Sequence, residues 1–429
     1  MAEKSGASAR IIIRNVRIFD GVSGGLTAGH VLIEGARIAT VSASPIAEDG
    51  GAPTTVIDGG DRVLMPGMAD AHVHLVGNAN NMLEMVAGSQ SLQAANTVVE
   101  ARNMLMRGFT AVRDMAGDTS GIKTVIDKGK LTGPRIYPSQ AAISQTSGHG
   151  DFGFTYDTPV ALGGAESRAE EIGFMRVADG PAMVTAAVRE QLKKGASQIK
   201  LMTGGGAASM YDPLYTLQFT PEEIRAAVQA AEDYGTYVAT HVYTVAGVRR
   251  AVEAGVRSVE HGQLVDEDTV KVLADKGAWL SLQPFAEHDH HYPDPDRAQK
   301  NREICNGVDN VYGWAREHGV KVAFGTDLLL EPQQAPLQSE MMTRLGRYYS
   351  NADALRMVTS GNAELFRMSG ERDPYRHGRI GEITEGAFAD VLLVDSNPLE
   401  DLSVLAKPEE GLRVIIKDGR VCKNTLGDG

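Results

Sequence analysis

Two histidines separated by a single residue are the first feature of this sequence that could do chemistry. His72 and His74 stand in the segment ADAHVHL. Because successive side chains of a β-strand point to opposite faces, residues two apart share a face, and both imidazoles could bind one cation. Two hydrogen-bonded histidines of a core are the alternative, and the HxH pattern alone does not decide between them.

Further polar residues stand at the ends of later predicted strands. They are Lys200 in QIKLM, His241 in ATHVY, His261 in VEHG and Asp327 in FGTD. In a barrel of parallel strands, residues at the carboxyl ends of the strands meet on one face. Imidazole and carboxylate are ordinary ligands of Zn²⁺ and similar ions, so this set could bind two divalent ions.

The lysine of this set lies in an apolar strand pattern, where an unpaired ammonium is unfavourable to bury. The charge of Lys200 therefore needs either a partner or chemical removal. Reaction with CO2 would convert the amine to an anionic carbamate, whose two oxygens could bridge two cations. A structural salt bridge or a contact with a substrate carboxylate is the alternative.

Four residues in predicted loops are candidates for contact with a substrate. His149 lies in TSGHGD, on the side where a barrel keeps its active site, and could bind substrate or stabilise an oxyanion. Tyr211 and Tyr215 lie in the loop after QIKLM, and His288 lies in EHDHHYPDPD, a loop that could act as a lid. Ordinary solvent-exposed loop side chains are the alternative for all four.

These residues need a scaffold that brings strand ends together, and alternating strand and helix patterns predict one. Eight segments have the composition of strands: 69–75, 109–115, 135–139, 197–202, 236–242, 257–261, 279–284 and 321–327. Helical patterns lie between them, such as 220–234, where Thr220 can cap the helix and Pro221 suits its first turn. Eight βα units favour a closed (β/α)8 TIM barrel over an open sheet.

Short β patterns flank the barrel region at both ends of the chain. The N-terminal part contains IIIRNVRIFD, HVLIEGARIATV and TTVIDGGDRVLMPG, and the C-terminal part contains GRIGEITEGAFADVLLVD and LRVIIKDGRVCKN. The two ends are expected to share one sheet. We therefore expect a composite β-sandwich domain from 9–65 and 375–425, and a barrel domain from 66–374.

The overall charge and composition exclude several kinds of partner. A formal net charge of -13 repels phosphate backbones and anionic lipid, so neither nucleic acid nor a membrane is expected as a partner. Cys305 and Cys422 are too few and too far apart to indicate a disulfide framework or a thiolate metal site. The start MAEKSGASAR has no apolar signal segment. This predicts a cytoplasmic protein, or a periplasmic or secreted one if a signal peptide was trimmed from the precursor.

The motifs together resemble a known family. PGMADAHVHL, QIKLM, ATHVY, VEHG and AFGTD, in this order and at these distances, resemble the amidohydrolase superfamily, and the flanking β modules resemble its composite β-sandwich. The likeness covers nearly the whole chain. A strand-four lysine with MTGGGAAS after it and SGHGD before it is similar to the binuclear prolidase-like carboxypeptidases, including bacterial amidohydrolases that degrade ochratoxin A.

The resemblance implies a site with two metal ions. His72, His74 and Asp327 would bind the more buried ion, His241 and His261 would bind the other, and carboxylated Lys200 would bridge them. Asp327 would also carry a proton from the attacking water to the leaving amine. Zinc is the default metal, although Co, Mn and Ni suit the same ligands.

The resemblance also implies a substrate class. It predicts hydrolysis of an amide bond next to a carboxylate-bearing aromatic or apolar amino acid, in an N-acyl amino acid or a dipeptide. Ochratoxin A fits this class because an amide joins its phenylalanine to an isocoumarin. The alternatives are a cyclic-amide hydrolase of the imidazolonepropionase or hydantoinase kind and a metal-free scaffold or binding protein. Relatives of this kind are often homo-oligomers, so a homo-oligomer is expected.

Overall fold

The computed structural model describes residues 10–48, 53–209 and 211–427. Within these ranges the chain forms 17 strands and 14 α-helices. The strands are β1 (Arg10–Phe19), β2 (Leu26–Glu34), β3 (Arg37–Ser42), β4 (Thr54–Pro66), β5 (Met68–Val73), β6 (Phe109–Asp114), β7 (Arg135–Pro138), β8 (Ala142–Ser144), β9 (Met175–Val177), β10 (Ile199–Met202), β11 (Val238–Thr244), β12 (Ser258–Leu264), β13 (Trp279–Leu282), β14 (Val322–Phe324), β15 (Val391–Val394), β16 (Leu412–Lys417) and β17 (Arg420–Asn424). The helices are α1 (Leu75–Ala79), α2 (Met82–Ala87), α3 (Gln90–Met106), α4 (Ser120–Asp127), α5 (Arg168–Glu171), α6 (Gly180–Lys193), α7 (Pro221–Glu232), α8 (Val245–Glu253), α9 (Glu267–Lys276), α10 (Pro295–Glu317), α11 (Leu337–Thr343), α12 (Asn351–Arg356), α13 (Asn362–Arg367) and α14 (Pro408–Gly411).

One mixed sheet contains strands from both ends of the chain. Its order is β17-β16-β15-β4-β1-β2-β3. Strand β4 is parallel to β1 and antiparallel to β15, and its Leu64 is paired with Ile18 on one side and Leu393 on the other. Buried aliphatic side chains from both ends pack into one cluster on this sheet. The two ends of the chain therefore share one sheet, as the sequence predicted.

Ten strands of the described residues form two parallel sheets. The larger has the order β14-β13-β12-β11-β10-β8-β9, and the smaller has the order β5-β6-β7. Each of the eight predicted strand segments overlaps one of these strands. The other two, β8 and β9, were not predicted, because strands of three residues are too short to show a periodicity.

Backbone hydrogen bonds join the two parallel sheets on both sides of the smaller one. The N–H of Asp327, just after β14, donates to the carbonyl oxygen of His72 in β5 at 2.8 Å. The N–H of Ser197, just before β10, donates to the carbonyl oxygen of Pro138 in β7 at 2.7 Å. The arrangement is a mixed α/β fold whose parallel strands are consistent with a barrel.

The helices of the parallel region form where the sequence supplies caps and an apolar face. In α7 the Thr220 hydroxyl accepts the Glu223 N–H, the Glu223 carboxylate accepts the Thr220 N–H, and Pro221 occupies the first turn. Ile224 and Val228, four positions apart on one face of this helix, are buried. Among the described residues, no helix combines the length and apolar character that crossing a membrane requires.

A buried arginine connects the parallel region to the C-terminal strands. Arg135, at the start of β7, donates through Nε to a carboxylate oxygen of Asp390 at 2.7 Å. Its guanidinium carbon lies 3.7 Å from the ring centroid of Phe388. The ion pair and the cation–π contact hold the mixed sheet against the start of the parallel strands.

Candidate metal centre

Strand β5 brings the two histidines of the HxH motif together. His72 is fully buried, and His74 follows the strand directly, at the start of α1. Their Nε2 atoms are 3.3 Å apart. The Nδ1 atom of His72 is 2.9 Å from a carboxylate oxygen of Glu260, which fixes the ring and leaves Nε2 facing His74. The two imidazoles therefore meet, as their spacing predicted.

An aspartate after β14 faces both histidines. The Oδ1 atom of Asp327 is 3.2 Å from Nε2 of His72 and 2.9 Å from Nε2 of His74. Its φ of 52° is a left-handed conformation that few residues other than glycine adopt. Burial alone would raise the pKa of the Asp327 carboxyl, but the neighbouring imidazoles hold this pKa well below its usual range. The carboxylate is therefore ionised at neutral pH.

Strands β11 and β12 place two more imidazoles beside this group. The ring centroid of His261 is 4.5 Å from that of His241 and 5.1 Å from that of His72. The Nδ1 atom of His261 lies 2.8 Å from Oε1 of Gln283 and 3.8 Å from Oδ2 of Asp327. Burial lowers the pKa of both imidazoles, to about 3 for His261. Both rings are therefore neutral, which is the form that binds a metal ion.

The lysine of β10 is buried beside these groups. Burial lowers the pKa of Lys200 to about 8, although the carboxylates of Glu260 and Asp327 act in the opposite direction. In the part of the chain that the structure describes, no carboxylate is close enough to form a salt bridge with its ammonium. The structural salt bridge that was the alternative for Lys200 is therefore not formed among these residues.

The loop after β8 places His149 against His241. Their ring centroids are 4.0 Å apart, and the ring planes are inclined by 13°. The Nδ1 atom of His149 is 2.9 Å from Oδ2 of Asp212 and 2.8 Å from Oγ of Ser209. A Cβ on Gly206 would lie 2.0 Å from Cε1 of His149, so only glycine allows the imidazole to sit there.

One cavity of about 310 Å³ joins these side chains. The predicted site residues that line it are His72, His74, His149, Lys200, His241, His261 and Asp327. Much of the remaining wall is apolar, with Phe152, Met175, Phe285 and Leu329 among its residues. A mostly apolar cavity with convergent polar groups is the usual form of a small-molecule site.

The other predicted substrate contacts lie away from this lining. Tyr215 and the side chain of His288 are each 78% exposed. The hydroxyl of Tyr211 is 3.0 Å from Oγ1 of Thr155. From the loop of His288 it is the neighbouring His290 and His291 that line the cavity. Contact of Tyr211, Tyr215 and His288 with substrate stays a prediction.

The family model of the amidohydrolase family matches residues 63–422, which include every strand of the parallel sheets. The chain belongs to the amidohydrolase family. Ochratoxinase of Aspergillus niger is 30% identical over 374 residues, which are 84% of this chain and 76% of that protein. The crystal structure of that ochratoxinase has a TM-score of 0.83 at 26% identity and covers 99% of this chain and 97% of its own.

Solved structures of prolidases are similar to this amidohydrolase as well. A prolidase complexed with N-methylphosphonate-L-proline has a TM-score of 0.88 at 33% identity and covers 97% of this chain and 100% of its own. A Xaa-Pro dipeptidase with bound methionine has a TM-score of 0.82 at 28% identity, with the same coverage. This amidohydrolase is accordingly a metal-dependent hydrolase that acts on amide bonds.

The buried donors of this amidohydrolase fit a divalent metal ion. His72, His261 and Asp327 each offer a ligand atom, and these atoms all lie within 4.8 Å of one another. Imidazole nitrogens and a carboxylate oxygen suit Zn²⁺ and related ions. Because burial also keeps His74, with a pKa lowered to about 4, in its neutral form, a fourth donor is available beside them.

Sequence reasoning missed the ion pair that supports His72 in this amidohydrolase. The guanidinium of Arg113, in β6, lies 2.7 and 2.8 Å from the two carboxylate oxygens of Glu260, and both side chains are fully buried. Glu260 precedes His261, and strand alternation predicts that neighbours face opposite ways. The φ of 80° at His261 interrupts that alternation. Glu260 therefore contacts His72, while His261 still lies beside Asp327.

Proposed function

We propose that this amidohydrolase uses two divalent metal ions to hydrolyse the amide bond next to a C-terminal, carboxylate-bearing amino acid. The observation that carries the proposal is the convergence of four buried imidazoles, Lys200 and Asp327 on one cavity. The proposed scaffold is a closed (β/α)8 TIM barrel, 66–374, with a composite β-sandwich from 9–65 and 375–425. The hydrogen bonds between the parallel sheets and the shared mixed sheet support it.

The proposed ligands divide into two groups. His72, His74 and Asp327 would hold one ion, and the contacts of 2.9 and 3.2 Å between Oδ1 of Asp327 and the two imidazoles support this grouping. His241 and His261 would hold the other ion. Zinc is the default metal, and Co, Mn and Ni suit the same donors.

N6-carboxylated Lys200 is the proposed bridge between the two ions. Its pKa of about 8 supports the carboxylation, because only the neutral amine reacts with CO2 and burial enlarges the neutral fraction near neutral pH. The lack of a salt-bridge partner among the described residues supports it as well. Formation of the N–C bond to CO2 releases one proton from the amine and places a single negative charge on the two carbamate oxygens, which two cations could neutralise.

The chain's own residues have distinct tasks in the proposed reaction. When bound, the two ions would supply a water activated at neutral pH and polarise the substrate carbonyl. Asp327 accepts a proton from the attacking water and donates it to the nitrogen of the leaving amine. The low pKa of its carboxyl supports the first half of this task, because the base must be ionised beforehand.

His149 is the proposed donor to the substrate carbonyl. Its Nδ1 lies 2.9 Å from Oδ2 of Asp212, and this carboxylate accepts the Nδ1–H and fixes the orientation of the ring. The Nε2–H of that ring then donates to the carbonyl oxygen as negative charge develops on it. Asp212 is a positioning residue, because it acts only through the imidazole.

The cavity wall favours an aromatic or apolar amino acid beside the scissile amide. Phe152, Phe285 and Ile304 supply apolar surface next to the polar group. Ochratoxin A belongs to this substrate class, because an amide joins its phenylalanine to an isocoumarin. The similarity to Aspergillus niger ochratoxinase supports its inclusion among the substrates.

The test is a rate measurement with purified protein loaded with Zn, Co or Mn. The substrates are N-acyl amino acids including ochratoxin A, unblocked dipeptides, and cyclic amides such as hydantoins. We expect hydrolysis of the first two groups, loss of activity after chelation and recovery when metal is returned. Hydrolysis of cyclic amides alone would support the alternative enzyme class, and a metal-loaded protein inactive on all three groups would exclude the proposal.

A further inference from the structure

One cation of the cavity wall has no part in the proposed metal chemistry. Arg297 lies in the first turn of α10 and lines the cavity. Its Nε donates to the carbonyl oxygen of Ala207 at 3.3 Å, and its guanidinium carbon lies 4.7 Å from the ring centroid of Tyr292. In the described ranges its two Nη atoms have neither a hydrogen-bond acceptor nor a carboxylate partner. The two Nη atoms of Arg297, which can bind a carboxylate with two hydrogen bonds, are therefore available to a ligand.

One anion of the wall is also unpartnered. Glu331 lies in the segment after β14, four positions beyond Asp327, and lines the same cavity. Its Oε2 is buried and has no hydrogen-bond donor among the described residues. The preceding Leu330 donates its N–H to the Gly77 carbonyl oxygen at 2.8 Å, which anchors the segment. A partly buried carboxylate without a partner is unfavourable, so it needs a cation from elsewhere.

These two charges face one space without neutralising each other. No salt bridge joins Arg297 to Glu331 in the described part of the chain. Tyr292 lies within the electric field of both: burial raises the pKa of its hydroxyl, the Arg297 guanidinium lowers it, and Asp327 and Glu331 raise it. The cavity thus offers a substrate one positive contact, Arg297, and one negative contact, Glu331, in addition to the proposed metal ligands.

We propose that Arg297 binds the C-terminal carboxylate of the substrate and that Glu331 binds its N-terminal ammonium. The inference rests on the proposed function and narrows it, because a substrate with both charges is an unblocked dipeptide. An N-acyl amino acid satisfies Arg297 only and leaves the carboxylate of Glu331 without a partner. A site that hydrogen-bonds a substrate group discriminates strongly against the analogue that lacks it.

The test compares three substrates that share one scissile bond. They are alanyl-phenylalanine, N-acetyl-alanyl-phenylalanine, which lacks the ammonium, and alanyl-phenylalanine amide, which lacks the carboxylate. The variants are Glu331→Gln and Arg297→Met, with Glu303→Gln and Arg302→Met as controls on exposed positions of α10. Each protein is loaded with zinc, its metal content is measured, and kcat/KM is determined for all three substrates.

We expect Glu331→Gln to lower kcat/KM for alanyl-phenylalanine at least about tenfold and to leave the N-acetylated substrate within about twofold. Arg297→Met should lower the rates with both acids and leave the amide nearly unchanged, while the controls change none of the three. Ratios between substrates within one variant do not depend on the folded fraction. Equal losses on all substrates, or a wild-type protein indifferent to N-acetylation, would overturn the inference. A wild-type protein that cleaves none of the three would count against the proposed function instead.

Discussion

The imidazole of His149 lies face to face with that of His241, with ring centroids 4.0 Å apart. His149 comes from the loop after β8 and His241 from the middle of β11, so the contact holds a loop side chain against a strand of the parallel sheet. Asp212 holds the outer edge of the His149 ring through Nδ1. The proposed carbonyl donor is therefore oriented by one of the proposed metal ligands.

Gly206→Ala should reduce turnover and leave metal binding intact. The added Cβ would lie 2.0 Å from Cε1 of His149 and must displace the ring from its place on His241. Loss of one oxyanion donor lowers kcat by about 10²–10³. Steady-state rates and metal analysis measure both effects. Gly313→Ala is the matched control, because nothing lies within 4 Å of its added Cβ. A Gly206→Ala protein with wild-type kcat would remove His149 from the mechanism.

Glu260→Gln should weaken metal binding and destabilise the fold. The substitution removes the charge that orients His72 and leaves the fully buried guanidinium of Arg113 without its counter-ion. We expect a loss of metal affinity of about 10–100-fold and a loss of about 3–5 kcal/mol in the free energy of unfolding. Chelator competition and denaturant titration measure the two quantities. The exposed Glu253→Gln should change neither. Unchanged metal affinity would show that Glu260 does not support His72.

Asp327→Asn should retain the fold and much of the metal but lose turnover. Asparagine tolerates the left-handed conformation that the φ of 52° requires, and its oxygen can still act as a ligand. It cannot carry a proton, so kcat should fall by about 10²–10⁴-fold. The exposed Asp275→Asn is the control. Turnover within about tenfold of the wild type would contradict the proton-transfer role of Asp327.

The metal content of the active protein should be two ions per chain. The proposed ligands exceed what one tetrahedral site can use. Metal analysis of the purified protein checks the number, and chelation should abolish activity until metal is returned. One ion per chain in a fully active protein would contradict the two-metal proposal.

Lys200→Ala should lose the bridging carboxylate, the second metal ion and the activity. A short carboxylic acid added with bicarbonate and metal should restore part of the rate, because it can occupy the vacated position. Native mass spectrometry of the wild type should show the mass of one added CO2. The exposed Lys193→Ala should keep metal, mass increment and rate. An unmodified Lys200 in the active, metal-loaded protein would require the binuclear proposal to be abandoned.

The polar residues within the parallel strands could be predicted from the sequence, because a buried strand leaves few places for a polar side chain. His72, His241 and Lys200 stand inside apolar runs, and the parallel strands bring them to one cavity. Glu260 could not be predicted, because it faces the site only through the left-handed φ of its neighbour His261. The alternation of polar and apolar residues along a strand does not indicate where the backbone adopts a left-handed φ.

Loop residues were harder to predict than strand residues, because loops have no periodicity. His149 lines the cavity, whereas Tyr215, chosen on similar grounds, is exposed. Asp212, Arg297 and Glu331 carried no local pattern that separated them from ordinary surface charges. Only the folded chain shows that Asp212 is buried against His149 and that the other two face the cavity.

The position of β4 between β1 and β15 has a consequence for synthesis on the ribosome. Its partner β1 has already been made, but β15 follows more than three hundred residues later, which takes on the order of half a minute at about 5–20 residues per second. Until then, one side of β4 presents N–H and C=O groups that other nascent chains can pair with. A message truncated before β15 would leave that edge open permanently, and its product should aggregate or be degraded even though every proposed metal ligand has been translated.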